Sequence, residues 1–179
     1  MPSEPALTIV ECSEADHGLA ILDILNDAIV SSTALYDYHP RAPESMAGWF
    51  RAKRENAFPV IGAVGDRGEL LGFATYGTFR AFPAYKYTVE HSVYVQRERR
   101  GRGLGAALLR RLIDRAVEQD YHVMVGAIDA ANVASVALHR KLGFEPCGTI
   151  RHAGFKFGRW LDLALYELVL PTPTAPVEG

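Results

Sequence analysis

The run Gln96-Arg97-Glu98-Arg99-Arg100-Gly101-Arg102-Gly103-Leu104-Gly105 interleaves glycine with arginine. It follows the apolar stretch His91-Ser92-Val93-Tyr94-Val95 and opens an amphipathic segment. A glycine-rich turn entering a helix bares backbone N–H groups at the positive end of the helix dipole, which suits phosphate. The flanking arginines add bidentate donors. Three readings compete. Gly101-x-Gly103-x-x-Ala106 satisfies a dinucleotide fingerprint, with Asp129 downstream, but the polar run Gln96 to Arg100 separates strand from glycine. A Walker loop fails because no Gly-Lys-Ser/Thr follows. A tight turn with a solvated basic run is the plain alternative.

Two further residues carry proton chemistry. On a strand over Tyr87–Val95, Thr88, Glu90, Ser92 and Tyr94 share one side, and Val89, His91, Val93 and Val95 the other. A carboxylate inside a central strand is costly unless it is paired or used. Glu90 is therefore a candidate general base, or else a structural partner of Arg80 or Lys156. Asn132, Ser135 and His139 are spaced to share one helix face, and His139 is a candidate acid or polar contact. His91, Trp49 and Trp160 read as structural.

The elements that must position these residues follow from periodicity and punctuation. Leu7–Glu11 is β-like. Ser13 is a helix N-cap before Leu19, Leu22, Ile24, Leu25 and Ala28. Pro43 suits the first position of a second helix. Phe58–Val64 and Leu70–Thr78 form a hairpin about Asp66-Arg67-Gly68, and an aromatic loop from Phe79 to Tyr85 precedes the strand bearing Glu90. Gly103–Gln119 has a two-faced helical pattern with Leu104, Ala107, Leu108, Leu112 and Ala116 inward. A strand His122–Ile128 and a helix Asn132–Leu142 stopped by Gly143 come next, then strands Phe144–Arg151 and Leu161–Leu170. The order β-α-α-β-β-β-α-β-α-β-β mixes hairpins with crossover helices. It predicts an α+β domain with a mixed sheet over residues 1–170 and a flexible Pro-rich tail over 171–179.

Composition narrows the classes. The 179 residues, 49% hydrophobic, 10% aromatic and 22% charged, suit one globular domain rather than a disordered chain. The formal net charge of −2 argues against a dedicated nucleic-acid binder. Cys12 and Cys147 lie far apart without zinc-ligand spacing, so neither a disulfide framework nor a metal site is expected. The N-terminus lacks an apolar h-region, and no apolar run of ~20 residues predicts a membrane span. A reduced cytoplasm is the expected compartment.

Arg100-x-x-Gly103-x-Gly105 after an apolar strand resembles the pyrophosphate-binding motif of the GCN5-related N-acetyltransferases (GNAT). Asn132 through Gly143-Phe144 resembles that family's N-x-x-A-…-G-F helix, and the element order matches its fold. Ser31-Ser32-Thr33-Ala34, Phe79 to Tyr85, Thr88 to Val95, Leu138-His139 and Lys156 to Asp162 together resemble the phosphinothricin/methionine sulfoximine acetyltransferases.

The resemblance implies acetyl-CoA as co-substrate, no metal, and transfer to the α-amino group of a small amino acid analogue. It places Glu90 at the catalytic acid position, removing the ammonium proton directly or through water. His139 stands where many members carry Tyr. Val93, Tyr94 and Val95 would take the pantetheine arm, and Arg100, Gly101, Arg102, Gly103, Leu104, Gly105 and Ala106 the pyrophosphate. Asn132 and Ser135 would contact the same cofactor. Arg80, Tyr85 and Lys156 are the expected acceptor contacts, with Tyr36 as a wall. A homodimer follows from the resemblance alone. A GNAT acting on another amino acid or small amine, and a non-catalytic acyl-CoA-binding module, are the rival readings.

Overall fold

The computed structural model describes residues 7–178. The elements are β1 (Thr8–Glu11), α1 (Glu14–Ser31), α2 (Ser45–Glu55), β2 (Val60–Val64), β3 (Leu70–Thr78), β4 (Thr88–Val95), α3 (Leu104–Glu118), β5 (Val123–Asp129), α4 (Val133–Lys141), β6 (Glu145–Lys156) and β7 (Arg159–Val169). Short 3-10 turns occupy Pro83–Tyr85 and Arg97–Arg99. The strands form one seven-stranded sheet in the order β1-β2-β3-β4-β5-β7-β6. Every neighbouring pair is antiparallel except β4 with β5.

Alternation along the central strands, shifted by a bulge at Leu71 where the β2–β3 register slips, sends side chains to two cores. Leu70 and Phe73 of β3 pack with α1 and α2 through Ile21, Leu25 and Phe50. Leu71, Ala74 and Tyr76 pack on the other face with Leu108, Leu109 and Leu112 of α3. Each fully buried leucine contributes roughly 2 kcal/mol by leaving water. Leu109 takes the inward place expected of Ala107, which is only half-buried. The outer face of α3 carries Arg111 and Arg115, both paired with Glu118.

The helix ends show why the chain turns where it does. Ser13 Oγ accepts from Asp16 N at 3.0 Å and caps α1. Asn132 Oδ1 accepts from Ser135 N at 3.1 Å and caps α4. Gly143 follows α4 at φ +88°, a conformation a Cβ would resist. Pro43 does not open α2. That helix starts at Ser45, after a turn in which Ser45 N bonds Ala42 O. Hydrogen bonds join the described residues of the Pro-rich tail to the domain. Thr172 Oγ1 donates to Tyr121 O at 2.7 Å, and Val177 N donates to Tyr87 Oη at 3.1 Å.

One irregularity positions the site. The β4–β5 register runs only from Thr88↔Val123 to Glu90↔Val125. Beyond it the two strands part, while β4 stays paired with β3 as far as Gly72↔Val95.

Candidate active site

Two hollows occupy the fork between β4 and β5. The first, about 290 Å³, is walled by Glu90 to Tyr94 of β4, by Gly126 to Asp129 of β5, by Thr33 to Tyr36 of the α1–α2 loop, and by Asn132, Ser135 and His139. The second, about 440 Å³, runs past Val93, Tyr94 and Val95 to Arg99, Arg100, Gly101, Gly103, Leu104, Gly105 and Ala106. Both share Ala34, Val93, Tyr94, Asn132 and Ser135, so the hollows adjoin. Gly101 and Gly103 sit at φ +76° and +79°, and Gly103 is the N-cap of α3. This conformation turns the chain so that the first amides of α3 lie at one end of the second hollow. Arg102 is exposed and does not line it, whereas Lys141, unremarked in the sequence, does. Arg100 Nε donates to Val95 O at 3.2 Å, closing the turn back onto the strand.

The first hollow is acidic. Burial pushes the Glu90 carboxyl above the ordinary carboxylate range, and the charge of Arg80 only partly opposes this. A raised carboxyl is a better proton acceptor near neutral pH than a free glutamate. Asp129, 5% exposed, accepts from Thr33 Oγ1 and from Ala131 N at 3.1 Å, with Arg159 3.8 Å away. Tyr36 Oη is buried in the same wall without a hydrogen-bond partner. Burial and then Asp129 raise that phenol, keeping it a neutral donor.

The histidine expected to act alone is half of a pair. His139 Nδ1 donates to Ser135 O at 2.7 Å, because a carbonyl can only accept. Its Nε2 lies 3.0 Å from Nε2 of His91, and the rings stack with centroids 4.9 Å apart. Burial holds both imidazoles below the ordinary histidine range.

The acceptor contacts read from sequence are dispersed. Lys156 is a correction. Its Nζ is buried beneath the α1–α2 loop and donates to Ile29 O, Ser32 O and Leu35 O at 2.6, 2.9 and 2.6 Å. All three protons are used, leaving none for a substrate carboxylate. Arg80 and Tyr85 line a separate hollow with Pro83 and Tyr121, and Arg80 lies over the Phe79 ring at 4.6 Å. Of the four, Tyr36 alone faces Glu90 across one cavity.

The acetyltransferase (GNAT) family model matches residues 20–144. The chain belongs to this family. An L-methionine sulfoximine/L-methionine sulfone acetyltransferase of Pseudomonas paraeruginosa is 46% identical over 93% of this chain and all of its own. The L-amino acid N-acyltransferase MnaT of Escherichia coli is 40% identical, covering 88% of this chain and 91% of its own. A solved Sinorhizobium meliloti phosphinothricin acetyltransferase in complex with AcCoA superposes with TM-score 0.90 at 35% identity, over 97% and 93% of the two chains. This GNAT acetyltransferase therefore has its glycine turn and its forked strands in adjoining hollows of one sheet.

Sequence reasoning missed His91, Asp129 as a pocket acid, and Gly126. Gly126 carried a usable signal, since glycine inside a central strand marks a close approach. A Cβ there would lie 2.9 Å from Nε2 of both His91 and His139.

Proposed function

We propose that this protein transfers acetyl from acetyl-CoA to the α-amino group of a small amino acid analogue of the methionine sulfoximine or phosphinothricin type. The attack on the thioester is direct. The observation that carries the reading is the desolvated Glu90 carboxylate in a pocket that opens onto the hollow of the glycine turn. The turn suits the pyrophosphate, and the apolar walls at Val93, Val95 and Leu138 suit the pantetheine arm.

Glu90 removes the ammonium proton, directly or through water, and the amine then attacks the thioester carbonyl held along β4. Asp129 adds a second negative charge that draws the ammonium in. The cations nearest the pocket acids are Arg159, 3.8 Å from Asp129, and Arg80, which lines the separate hollow but whose charge acts on Glu90. They support recognition of the acceptor carboxylate. Tyr36 Oη supplies a neutral donor for a polar oxygen at the acceptor's far end.

A homodimer in the cytoplasm is part of the proposal. The exposed apolar side chains Ile150, Phe155, Phe157 and Trp160 on and between β6 and β7 support the dimer. The free thiols of Cys12 and Cys147 suit a reducing compartment.

A broader α-amino acid specificity is the second reading. It is favoured because, among the described residues, no Lys or Arg lines the first hollow. A panel of amino acids and analogues with acetyl-CoA, followed by free-thiol release, tests both. Preference for methionine sulfoximine or phosphinothricin supports the first reading and even turnover of ordinary amino acids the second. No release with any α-amino acid refutes both.

A further inference from the structure

We propose that His91 and His139 act as one proton-carrying unit beneath the acceptor pocket, with His91 as the positioning residue that dictates the tautomer of His139 and holds the pair's open proton site. The inference rests on the acetyl-transfer reading above and deepens it.

Hydrogen-bond accounting fixes the protons. His139 Nδ1 must carry hydrogen to reach Ser135 O. In a neutral ring its Nε2 is then bare and can only accept. The 3.0 Å Nε2–Nε2 contact therefore requires hydrogen on His91 Nε2. That leaves His91 Nδ1 as a lone-pair nitrogen, and it is buried without any partner. A buried acceptor left unpaired costs about 1–3 kcal/mol, so its persistence calls for a reason. Purely structural histidines would be better served by a partner at that atom.

Acetyl transfer supplies a reason. Glu90 takes the ammonium proton and releases it to solvent; as the C–N bond then forms and the C–S bond breaks, a second proton leaves the nitrogen and one must reach sulfur. A proton accepted at His91 Nδ1 lets His91 pass its Nε2 proton to His139. The positive charge then settles on His139, where Ser135 O already accepts from Nδ1 and the last turn of α4 offers the negative end of its dipole. The reverse transfer gives the proton up again at Nδ1, from which pocket water carries it to the leaving thiolate. The pair neither gains nor loses a proton over the cycle, and the one net proton released is the ammonium proton taken by Glu90.

Burial keeps the pair uncharged between turnovers. The titratable groups around it are Glu90 on β4, Asp129 on β5, Tyr36 on the α1–α2 loop, and Tyr166 on β7, whose ring lies 6.2 Å from His139. Phe144 packs edge-on against both imidazoles at 5.4 and 5.1 Å and excludes water.

Two variants and one spectrum test this. His91→Gln keeps an N–H for His139 Nε2 but cannot hold the proton. His91→Phe removes both functions. His91→Gln should retain acetyl-CoA affinity while its kcat falls roughly 10- to 100-fold and loses one ionisation from its pH profile. His91→Phe should fall further. Unchanged kcat and pH profile in His91→Gln would overturn the relay. Nitrogen-15 NMR of the wild-type histidines should show His139 protonated at Nδ1 and His91 at Nε2. The opposite tautomers would overturn it even if a variant fails to fold. Correct tautomers with no turnover of any acceptor would refute the acetyl-transfer reading, and with it the relay, while leaving the proton assignment intact.

Discussion

Replacing Lys156 by Met removes three hydrogen bonds at once, and it separates a structural role from an acceptor-binding one. Nζ joins β6 to Ile29, Ser32 and Leu35, more than a hundred residues earlier in the chain. Hydrogen bonds to a charged donor are worth about 1.5–3 kcal/mol each, so their face value here is roughly 5–9 kcal/mol. Met also abolishes the cost of burying the ammonium, several kcal/mol, and fills much of the same volume. The carbonyls of Ser32 and Leu35 lie in a half-exposed loop and can rehydrate, but that of fully buried Ile29 has less access to water. The net loss should be about 3 kcal/mol. For a chain of this length that lowers Tm by about 6–12 °C. Thr33 to Tyr36 wall the first hollow and Ser32 and Ala34 also reach the second, so the acceptor KM should rise for every acceptor alike and acetyl-CoA KM should rise with it. Thermal melting and steady-state kinetics with a carboxylate-bearing acceptor and its methyl ester provide the comparison. An unchanged Tm, with KM raised only for the free carboxylate, would refute the structural assignment.

Glu90→Gln should lower kcat by about 10²- to 10⁴-fold with acetyl-CoA binding intact in a calorimetric titration. The Glu90 carboxyl holds its proton more tightly folded than unfolded. Its ionisation therefore opposes folding: the cost is absent below the ordinary carboxylate range and complete above the raised value. The same Gln variant should consequently match or exceed wild-type stability at pH 8, read by urea denaturation, and lose that margin in acid. Gly126→Ala places a methyl 2.9 Å from both histidine Nε2 atoms; it should cost about 1–3 kcal/mol and disrupt the pair's NMR signature. Gly103→Ala forces a side chain into φ +79°, costing about 1 kcal/mol, and should raise acetyl-CoA KM with the acceptor KM unmoved.

Local chemistry was legible in the sequence wherever the deciding atoms lie close along the chain. Ser13 caps the helix three residues away from its bonding partner, and Gly143 stops α4 as its position after the apolar pattern implies. The strand bearing Glu90 and the helix after the glycine turn likewise follow from periods of two and 3.6. Long-range placement was not legible. Lys156 looks like a free cation until the sheet brings β6 under the end of α1. His91 reads as structural in the sequence, and alternation sets it on the side of β4 opposite Glu90, which for evenly paired strands would keep the two apart. The fork from β5 breaks that even pairing and lets both residues line one hollow. Arg80 and Tyr85 sit on a loop whose direction no periodicity specifies, and it turns them toward Pro83 and Tyr121.

The fork also bears on how long the protein survives. Past Glu90, β4 has no strand partner on its β5 side among the described residues, so a row of backbone donors and acceptors lies open inside the sheet. A ligand that satisfies them adds stability the bare chain lacks, about 2.7 kcal/mol at a hundred times its Kd. Proteolysis reads the population of locally opened states. The resistance of this protein to degradation would then rise and fall with acetyl-CoA supply, making its abundance a gauge of the metabolite it consumes.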